Sequence, residues 1–221
     1  MRYRHLWFLL LMLMFLSLFP AGEKQKKGPG SPDQFHEIHR KNAYDFGLFM
    51  GYASFHSMVP HFDASKRCLI ALNHARMAAE KLKALAPGLP IKEIKSLMDR
   101  YGYSTSVRQW NRIQASLTGA IIAIRNQCGE VLREVNRYWH AAYGLGINLA
   151  IAEAQFFEGE PAPRIVRTGL VNSREPALLL GLEVSSLDAL VAIIDSGRPL
   201  AGHYRDLVAI REKYAANLRA P

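Results

Sequence analysis

Few residues in this sequence could take part in catalysis, and the most informative of them is one acid. Glu153 lies in an apolar stretch, residues 148–157, where Asn148 and Gln155 are its polar neighbours. We expect Glu153 to lie on the solvent side of an amphipathic helix. The alternative is a hydrolase-like helical enzyme of the cell envelope, acting on glycan, in which Glu153 works with a neighbouring acid. The sequence contains no G-x-S-x-G motif and no phosphate-binding glycine loop, so we assign no catalytic residue.

Cys68 and Cys128 are the only two cysteines, and in an exported protein they could form a disulfide. The outcome depends on the helix topology. In a strict up-and-down bundle the two residues lie at opposite ends, because the helix that ends near Cys128 is about 35 Å long. If the short third helix lies across the end of the bundle, the next helix turns back and the two thiols can meet. The sequence leaves both arrangements open.

Four histidines could be considered as metal ligands. His36 and His39 lie one turn apart on the first predicted helix, and His56 and His61 flank its end. Metal sites require three or four ligands and a second shell of supporting groups, whereas here only pairs can be argued. No haem-attachment or H-E-x-x-H motif is present. We therefore predict no metal site and no cofactor.

The N-terminal segment predicts export. Residues 1–22 begin with a basic region and continue through the fourteen uncharged residues 6–19. Fourteen helical residues span about 21 Å, short of the roughly 30 Å hydrocarbon core, so a signal peptide fits better than a spanning helix. Because bulky Phe19 stands three places before a cut after Ala21, an uncleaved anchor formed by residues 6–19 is the alternative. Either form places the rest of the protein outside the cytoplasm, periplasmic or secreted, after a flexible linker at residues 23–31.

The charge of the chain does not indicate nucleic-acid binding. The formal net charge is +9, from 28 Lys and Arg against 19 Asp and Glu. Five of the basic residues precede residue 28, and without them and Glu23 the balance is 23 against 18, or +5. Such a surplus, spread along helices without a basic stripe, is typical of a solvated surface. We expect an unknown protein or small-molecule partner, no nucleic acid, and membrane contact only through residues 6–19.

Helical periodicity and turn formers predict about eight helices and no strand. Their expected ranges are about 32–58, 64–86, 91–102, 104–127, 130–157, 164–180, 185–196 and 199–218. No proline interrupts residues 104–157, a stretch too long for one helix in a compact domain. We place the break at the turn formers of residues 126–129.

Three segments recur in order at nearly constant spacing, which predicts an internal duplication. Residues 44–53 resemble residues 142–150 at an offset of 97. Gly88 then matches Gly181 at an offset of 93, and Trp110 matches Tyr204 at an offset of 94. One copy would cover residues 32–128 and the other residues 129–221.

The first matched segment carries small residues four apart in both copies. These are Gly47 and Gly51 in the first copy, and Gly144 and Asn148 in the second. Small residues at this spacing let two helix backbones approach closely. Glycine inside a helix costs roughly 0.5–1 kcal/mol relative to alanine, so its repeated use suggests a packing reason. We assign these four residues to the crossing of two core helices near a pseudo-two-fold axis.

The sequence therefore predicts an all-α protein: a bundle of about eight helices, built as two duplicated four-helix units packed pseudo-symmetrically in one domain, residues 32–221. The first functional hypothesis is an exported binding or scaffolding protein without evident catalysis, with its site between the repeats. The second is the envelope hydrolase that uses Glu153. The third is a membrane-tethered interaction protein anchored by residues 6–19.

Overall fold

A computed structural model describes residues 39–61, 63–102, 104, 106–157 and 159–218. Within these ranges the chain forms eight α-helices, two short 3-10 segments and no strand, which confirms the predicted all-α bundle. The helices are α1 (Arg40–Met58), α2 (Asp63–Glu80), α3 (Ile91–Tyr101), α4 (Val107–Val135), α5 (Arg137–Ala154), α6 (Pro163–Leu179), α7 (Ser185–Asp195) and α8 (Tyr204–Asn217). None of these helices is long and apolar enough to cross a bilayer. The predicted export segment 1–22 and linker 23–31 lie outside the described residues.

Helices α1 and α5 form the centre of the bundle. Every residue of α5 from Ala141 to Ala154 is buried, and so is most of α1. A helix that is apolar all round belongs in a core, which explains why both sequences are nearly continuous runs of apolar and small residues. The two helices pack against each other over a longer stretch than any other described pair.

The approach of α1 to α5 is closer than a side chain would allow. A Cβ atom on Gly47 would lie 2.0 Å from the carbonyl oxygen of Tyr143. A Cβ atom on Gly146 would lie 2.3 Å from the carbonyl oxygen of Tyr44. Because the obstructing atoms belong to the backbone, no change of side-chain conformation could make room. The absence of a Cβ at both positions is therefore a condition of this packing.

The other helices surround the central pair in two similar sets. Helix α2 packs on α1 and is followed by α3, just as α6 packs on α5 and is followed by α7. Helices α4 and α8 each contact both central helices. The order of elements and the pattern of contacts are thus alike in the N-terminal half (α1–α4) and the C-terminal half (α5–α8), as two related four-helix units would produce.

Two hydrogen bonds cross between the halves in a matching way. Tyr44 of α1 donates its hydroxyl to the carbonyl oxygen of Arg211 in α8 at 3.1 Å. Tyr143 of α5 donates its hydroxyl to the carbonyl oxygen of Arg125 in α4 at 3.0 Å. Each arginine ends an Ala-Ile-Arg tripeptide. These contacts align residue 44 with residue 143, at an offset of 99, and residue 125 with residue 211, at an offset of 86.

This alignment differs from the sequence-based one, which used an offset of 97 for the central helices. At 97, Gly47 pairs with Gly144, because that match also aligns the leucines that follow. At 99, Gly47 pairs with Gly146, and the tyrosines at 44 and 143 coincide. The sequence-based alignment maximises residue identities. The structural alignment instead pairs Gly47 with Gly146, the two glycines at which an added Cβ atom would collide with the backbone of the other helix.

Helix α4 runs unbroken through residues 126–129, so the break predicted there is wrong. Tyr143 of α5 lies beside this stretch, and packing against the core outweighs the low helix propensity of the turn formers. The true break is the single extended residue Asn136 between α4 and α5. Its side chain caps α5 by accepting hydrogen bonds from the N–H groups of residues 138 and 139.

Candidate functional site

Glu153 is the polar centre of the candidate site. It lies in the last turn of α5 and is only 3% exposed, so the expectation that it faces solvent is wrong. Its Oε2 atom accepts a hydrogen bond from Nε of Arg211 in α8 at 2.7 Å. Tyr52 in α1 and Tyr204 at the start of α8 lie within the electrostatic influence of this carboxylate. The ion pair of Glu153 with Arg211 thereby connects α5 and α8.

The partners of Glu153 keep the protonation states that this network needs. Burial and the nearby carboxylate raise the pKa of both Tyr52 and Tyr204 above the ordinary phenol value. Burial alone would lower the pKa of Arg211, but the charge of Glu153 outweighs it and raises that pKa. At neutral pH the two phenols are therefore uncharged and the guanidinium is a cation. A buried carboxylate is tolerated in a protein interior only with such compensation.

The network does not form the acid pair that the hydrolase hypothesis requires. Glycoside hydrolysis uses two carboxyl groups roughly 5–10 Å apart on either side of a cleft. In the described part of the chain, the groups placed against Glu153 are one guanidinium and two phenols. Glu212 approaches the far side of Arg211 at 3.6 Å, but its side chain is exposed. The ion pair is suited to fixing α8 against α5.

An aromatic cluster adjoins the ion pair at the end of α5. The ring of Phe157 lies 6.3 Å from His56, 6.4 Å from Tyr52 and 5.9 Å from Tyr204, measured between ring centroids. Phe156 lies 5.7 Å from Tyr204. These separations are within the range in which aromatic pairs attract each other. The cluster joins α1, the 3-10 turn after α5, and the start of α8.

His56 closes this cluster on the side of α1. Its ring is buried, and Nδ1 has no hydrogen-bond partner among the described residues. Burial, with a further contribution from the positive charge of Arg67, lowers the pKa of His56 to about 4. The ring is therefore neutral at pH 7 and packs as an aromatic group.

A pocket opens on the other side of the cluster. Its volume is about 210 Å³. It is lined by Phe156, Phe157, Gly159, Pro161, Ala201 and Tyr204. Tyr204 therefore lies between the two features, because its ring lines the pocket and its phenol is within the electrostatic influence of Glu153. We call this site the aromatic pocket.

The corresponding place in the N-terminal half is filled by a side chain. There, Trp110 from the first turn of α4 is completely buried over the turn between α1 and α2. Its indole N–H donates to the carbonyl oxygen of Val59 at 2.8 Å, and Gln114 donates to the same oxygen at 3.0 Å. When the two Ala-Ile-Arg tripeptides are aligned, α8 is shorter than α4 at its N-terminal end, because α8 begins only at Tyr204. In the C-terminal half the turn after α5 is covered by Tyr204, the first residue of α8, and the aromatic pocket lies beside it.

The four residues assigned to the helix crossing are divided between two contacts. Gly47 and Gly51 lie directly against the backbone of α5. Asn148 is directed toward α6, where its Nδ2 donates to a carbonyl oxygen at 3.2 Å. Gly144 is buried within α5, but the glycine whose missing Cβ admits α1 is Gly146.

Cys68 and Cys128 are both free and buried, so the disulfide that the sequence left open is not formed. The thiol of Cys68 donates to the carbonyl oxygen of Ala53 at 3.5 Å. Because α4 continues past residue 128, Cys128 faces α5 from inside a helix and does not lie in a loop that could turn toward α2. Burial raises the pKa of Cys68 to about 12 and also raises that of Cys128.

The histidines considered as metal ligands lie apart from one another. His36 falls outside the described residues. His39 precedes α1 with its ring 5.4 Å from that of Trp139, His56 is in the aromatic cluster, and His61 is exposed. Within the described ranges, no group of three or more His, Cys, Asp or Glu side chains could hold a metal ion.

Sequence reasoning did not find the pocket residues. A signal was present, since Phe156 and Phe157 directly precede a loop that contains glycine and two prolines. Two adjacent large aromatic residues at the border of such a loop are unusual in a purely solvated turn. The match of Trp110 with Tyr204 was a second signal, because each aromatic residue covers the turn after a central helix.

No protein-family model, curated protein or solved structure matches this chain.

Proposed function

We propose that the chain is an exported helical binding protein and that the aromatic pocket is its ligand site. The observation that carries this proposal is a cavity of about 210 Å³ lined by three aromatic rings and a proline at the end of the most buried helix. Pockets for drug-sized ligands have volumes of roughly 300–1,000 Å³. A cavity of this size therefore accommodates a single ring or one side chain of a larger partner.

The surroundings of the pocket favour binding over catalysis. The carboxylate of Glu153 accepts a hydrogen bond from Nε of Arg211 at 2.7 Å, and this ion pair joins α5 to α8. Side chains held in this way lose little further freedom when a ligand arrives, which reduces the entropic cost of binding. The ion pair thus acts as a rigid support for α8, which begins at Tyr204.

An internal duplication accounts for the shape of the site. The matching order of helices and the paired tyrosine–arginine contacts support two related four-helix units. In this proposal the two copies diverged where α8 became shorter than α4, and the pocket arose at that difference. The site then belongs to the C-terminal copy, whereas the sequence-based hypothesis placed it between the copies.

Export is proposed from the N-terminal sequence alone. Residues 1–22 have the basic start and short apolar run of a signal peptide, with an anchor formed by residues 6–19 as the alternative. N-terminal sequencing of the protein recovered from its cell compartment decides between them. A mature N-terminus near residue 22 supports the signal peptide, an intact membrane-bound start supports the anchor, and an intact start in the cytoplasm refutes export.

Binding is tested by ligand-observed NMR on the full chain with a set of ring-bearing fragments. We expect saturable binding that Ala201→Phe removes, because the added ring fills the pocket. Ala201→Ser is the matched control, since it changes the same position without filling the cavity, and it should bind as the parent does. Binding that is equal in all three proteins, or absent from the parent, refutes the proposed site.

A further inference from the structure

The basic surplus of the chain belongs to one half of the fold. Residues 39–128, which form α1–α4, carry 13 Lys and Arg against 5 Asp and Glu. Residues 129–218, which form α5–α8, carry 9 against 11. Several cations of this second group are paired across helices, as Arg167 is with Asp195. The surplus that the sequence suggested was spread along all helices is therefore concentrated on the N-terminal half.

Helix α2 exposes an outer face of this half. It packs on α1 and contacts α3, and on its other side Ile70 and Met77 are 42% and 50% exposed. Seven residues make two helical turns, so these two side chains lie one above the other, about 10 Å apart. Lys66 and Lys81 lie one turn beyond them at either end of the same face and are exposed. We call these four residues, which extend over about 22 Å, the α2 stripe.

Helix α6 provides an internal comparison. Its outer face also carries two exposed apolar side chains seven residues apart, Val171 and Leu178, at 43% and 51%. The cations beside them, Arg167 and Arg174, are paired with aspartates at 2.6 Å and 3.1 Å. The two lysines of the α2 stripe form no such pair with any described residue. Apolar side chains beside uncompensated positive charge therefore distinguish α2 from its counterpart.

We propose that the α2 stripe docks the folded part of the chain on an anionic lipid surface. Lipid phosphates would face Lys66 and Lys81, while Ile70 and Met77 enter the boundary between headgroups and acyl chains. Helices that lie in a membrane interface combine these two features, basic residues at the polar border and apolar residues between them. The inference is independent of the aromatic pocket, and it extends the membrane contact expected from residues 6–19 to the folded part.

A nucleic acid would match the same charge but not the side chains between the lysines. Proteins contact nucleic acids with Lys and Arg on phosphates and with polar or aromatic side chains on bases. The ring of His74, which borders the stripe, is packed on Phe49 at 4.9 Å between centroids. The exposed aliphatic and thioether groups of Ile70 and Met77 gain free energy on transfer from water to hydrocarbon and gain nothing from a phosphate backbone. A lipid surface thus uses both parts of the stripe.

The test is flotation of the full chain with two kinds of vesicle, phosphatidylcholine alone and a 2:1 mixture of phosphatidylcholine and phosphatidylglycerol, at about 0.1 M salt. We expect the partition coefficient to be at least about tenfold higher on the anionic vesicles. Every variant retains residues 1–38, so any contribution from that segment is common to all. Equal partition of the parent on both vesicles would overturn the proposal.

The charges of the stripe are tested by the double variant Lys66→Gln/Lys81→Gln. Its partition onto anionic vesicles should fall about 25-fold, because each basic residue near such a surface contributes about fivefold. The control, Arg164→Gln/Arg205→Gln, removes the same charge from exposed positions of the C-terminal half and should change partition less than about twofold. An equal loss in both double variants would show that net charge alone carries the binding, which refutes the stripe.

The apolar part is tested by Met77→Gln. It should weaken binding to anionic vesicles about fivefold, because the half-exposed side chain no longer gains from transfer to hydrocarbon. Leu178→Gln in α6 is the matched control at equal exposure, and it should bind as the parent does. Unchanged binding by Met77→Gln, or displacement of the parent from the vesicles by a duplex oligonucleotide, would overturn the lipid surface.

Discussion

The contact between α1 and α5 makes the sharpest prediction, because it is limited by backbone atoms on both sides. In Gly47→Ala the new methyl group would lie 2.0 Å from the carbonyl oxygen of Tyr143, whereas ordinary contacts begin at 3.4 Å. The helices must therefore separate by more than an ångström at the centre of the core. Overpacking that flexible side chains can absorb costs about 1–3 kcal/mol, so a clash with rigid backbone should cost at least about 3 kcal/mol of the free energy of unfolding.

Two further alanine substitutions complete the design. Gly146→Ala should cost about as much as Gly47→Ala, because its methyl group would lie 2.3 Å from the carbonyl oxygen of Tyr44. Gly119→Ala on α4 is the control, since nothing lies within 4 Å of its added Cβ and its backbone is equally helical. That change should stabilise the protein by about 0.5–1 kcal/mol through helix propensity.

The measurement is urea unfolding at pH 7, followed by circular dichroism at 222 nm, for the parent and the three variants. The expected order of midpoints places Gly119→Ala above the parent, with Gly47→Ala and Gly146→Ala far below it. A loss under about 1 kcal/mol in either core variant would show that the helices are not in backbone contact there. A large loss at residue 47 together with a small one at residue 146 would contradict the alignment at an offset of 99.

Three other predictions concern buried ionisable groups. Glu153→Gln should cost about 2–4 kcal/mol of the free energy of unfolding in the same assay, since it leaves the partly buried Arg211 without its counter-charge. The double variant that adds Arg211→Met should lose less stability than the sum of the two single variants, and additive losses would exclude a coupled pair. The pKa of His56 is about 4 in the folded protein against 6.5 for the free side chain, so the unfolded chain binds its proton first and stability falls as pH drops through that window. His56→Gln should reduce this loss by up to about 1.4 kcal/mol per pH unit, as measured by unfolding at pH 7, 5.5 and 4.5, and an unchanged slope would show that the ring is already charged or solvated. Cys68 and Cys128 should resist a thiol reagent in the native protein and both react in urea without reductant, whereas two unreactive thiols in urea would reveal a disulfide.

The fold class could be predicted from the sequence because apolar periodicity and capping residues indicate each helix locally. The boundary between the fourth and fifth helices could not be predicted in the same way. By local propensity, the turn formers at residues 126–129 are a stronger signal for a helix end than Asn136 alone. They nevertheless stay helical because they pack against Tyr143 of the next helix, a contact that local sequence does not reveal. Asn136 breaks the chain because its backbone is extended and its side chain caps the next helix.

The same limit applied to Glu153. The sequence favoured a solvent-facing position for Glu153 over a buried one, because a carboxylate is rarely buried without a partner. The difference is decided by Arg211, which is 58 positions away, and by Tyr52 on another helix. The spacing of the glycines was more informative. It correctly indicated a close helix contact on α1, but it assigned Gly144 as the partner on α5, whereas the contacting glycine is Gly146.

The two halves differ most in the constraints on their helices. The central helices are constrained by backbone contacts on both sides, so neither can change without the other. The last helices, α4 and α8, are less constrained. Their matching contacts with the core are the hydrogen bonds that the carbonyl oxygens of Arg125 and Arg211 accept. Tyr204 covers the turn after α5 where Trp110 covers the turn after α1, and Glu153 holds α8 against the core. The aromatic pocket lies at that turn, outside the contact between α1 and α5.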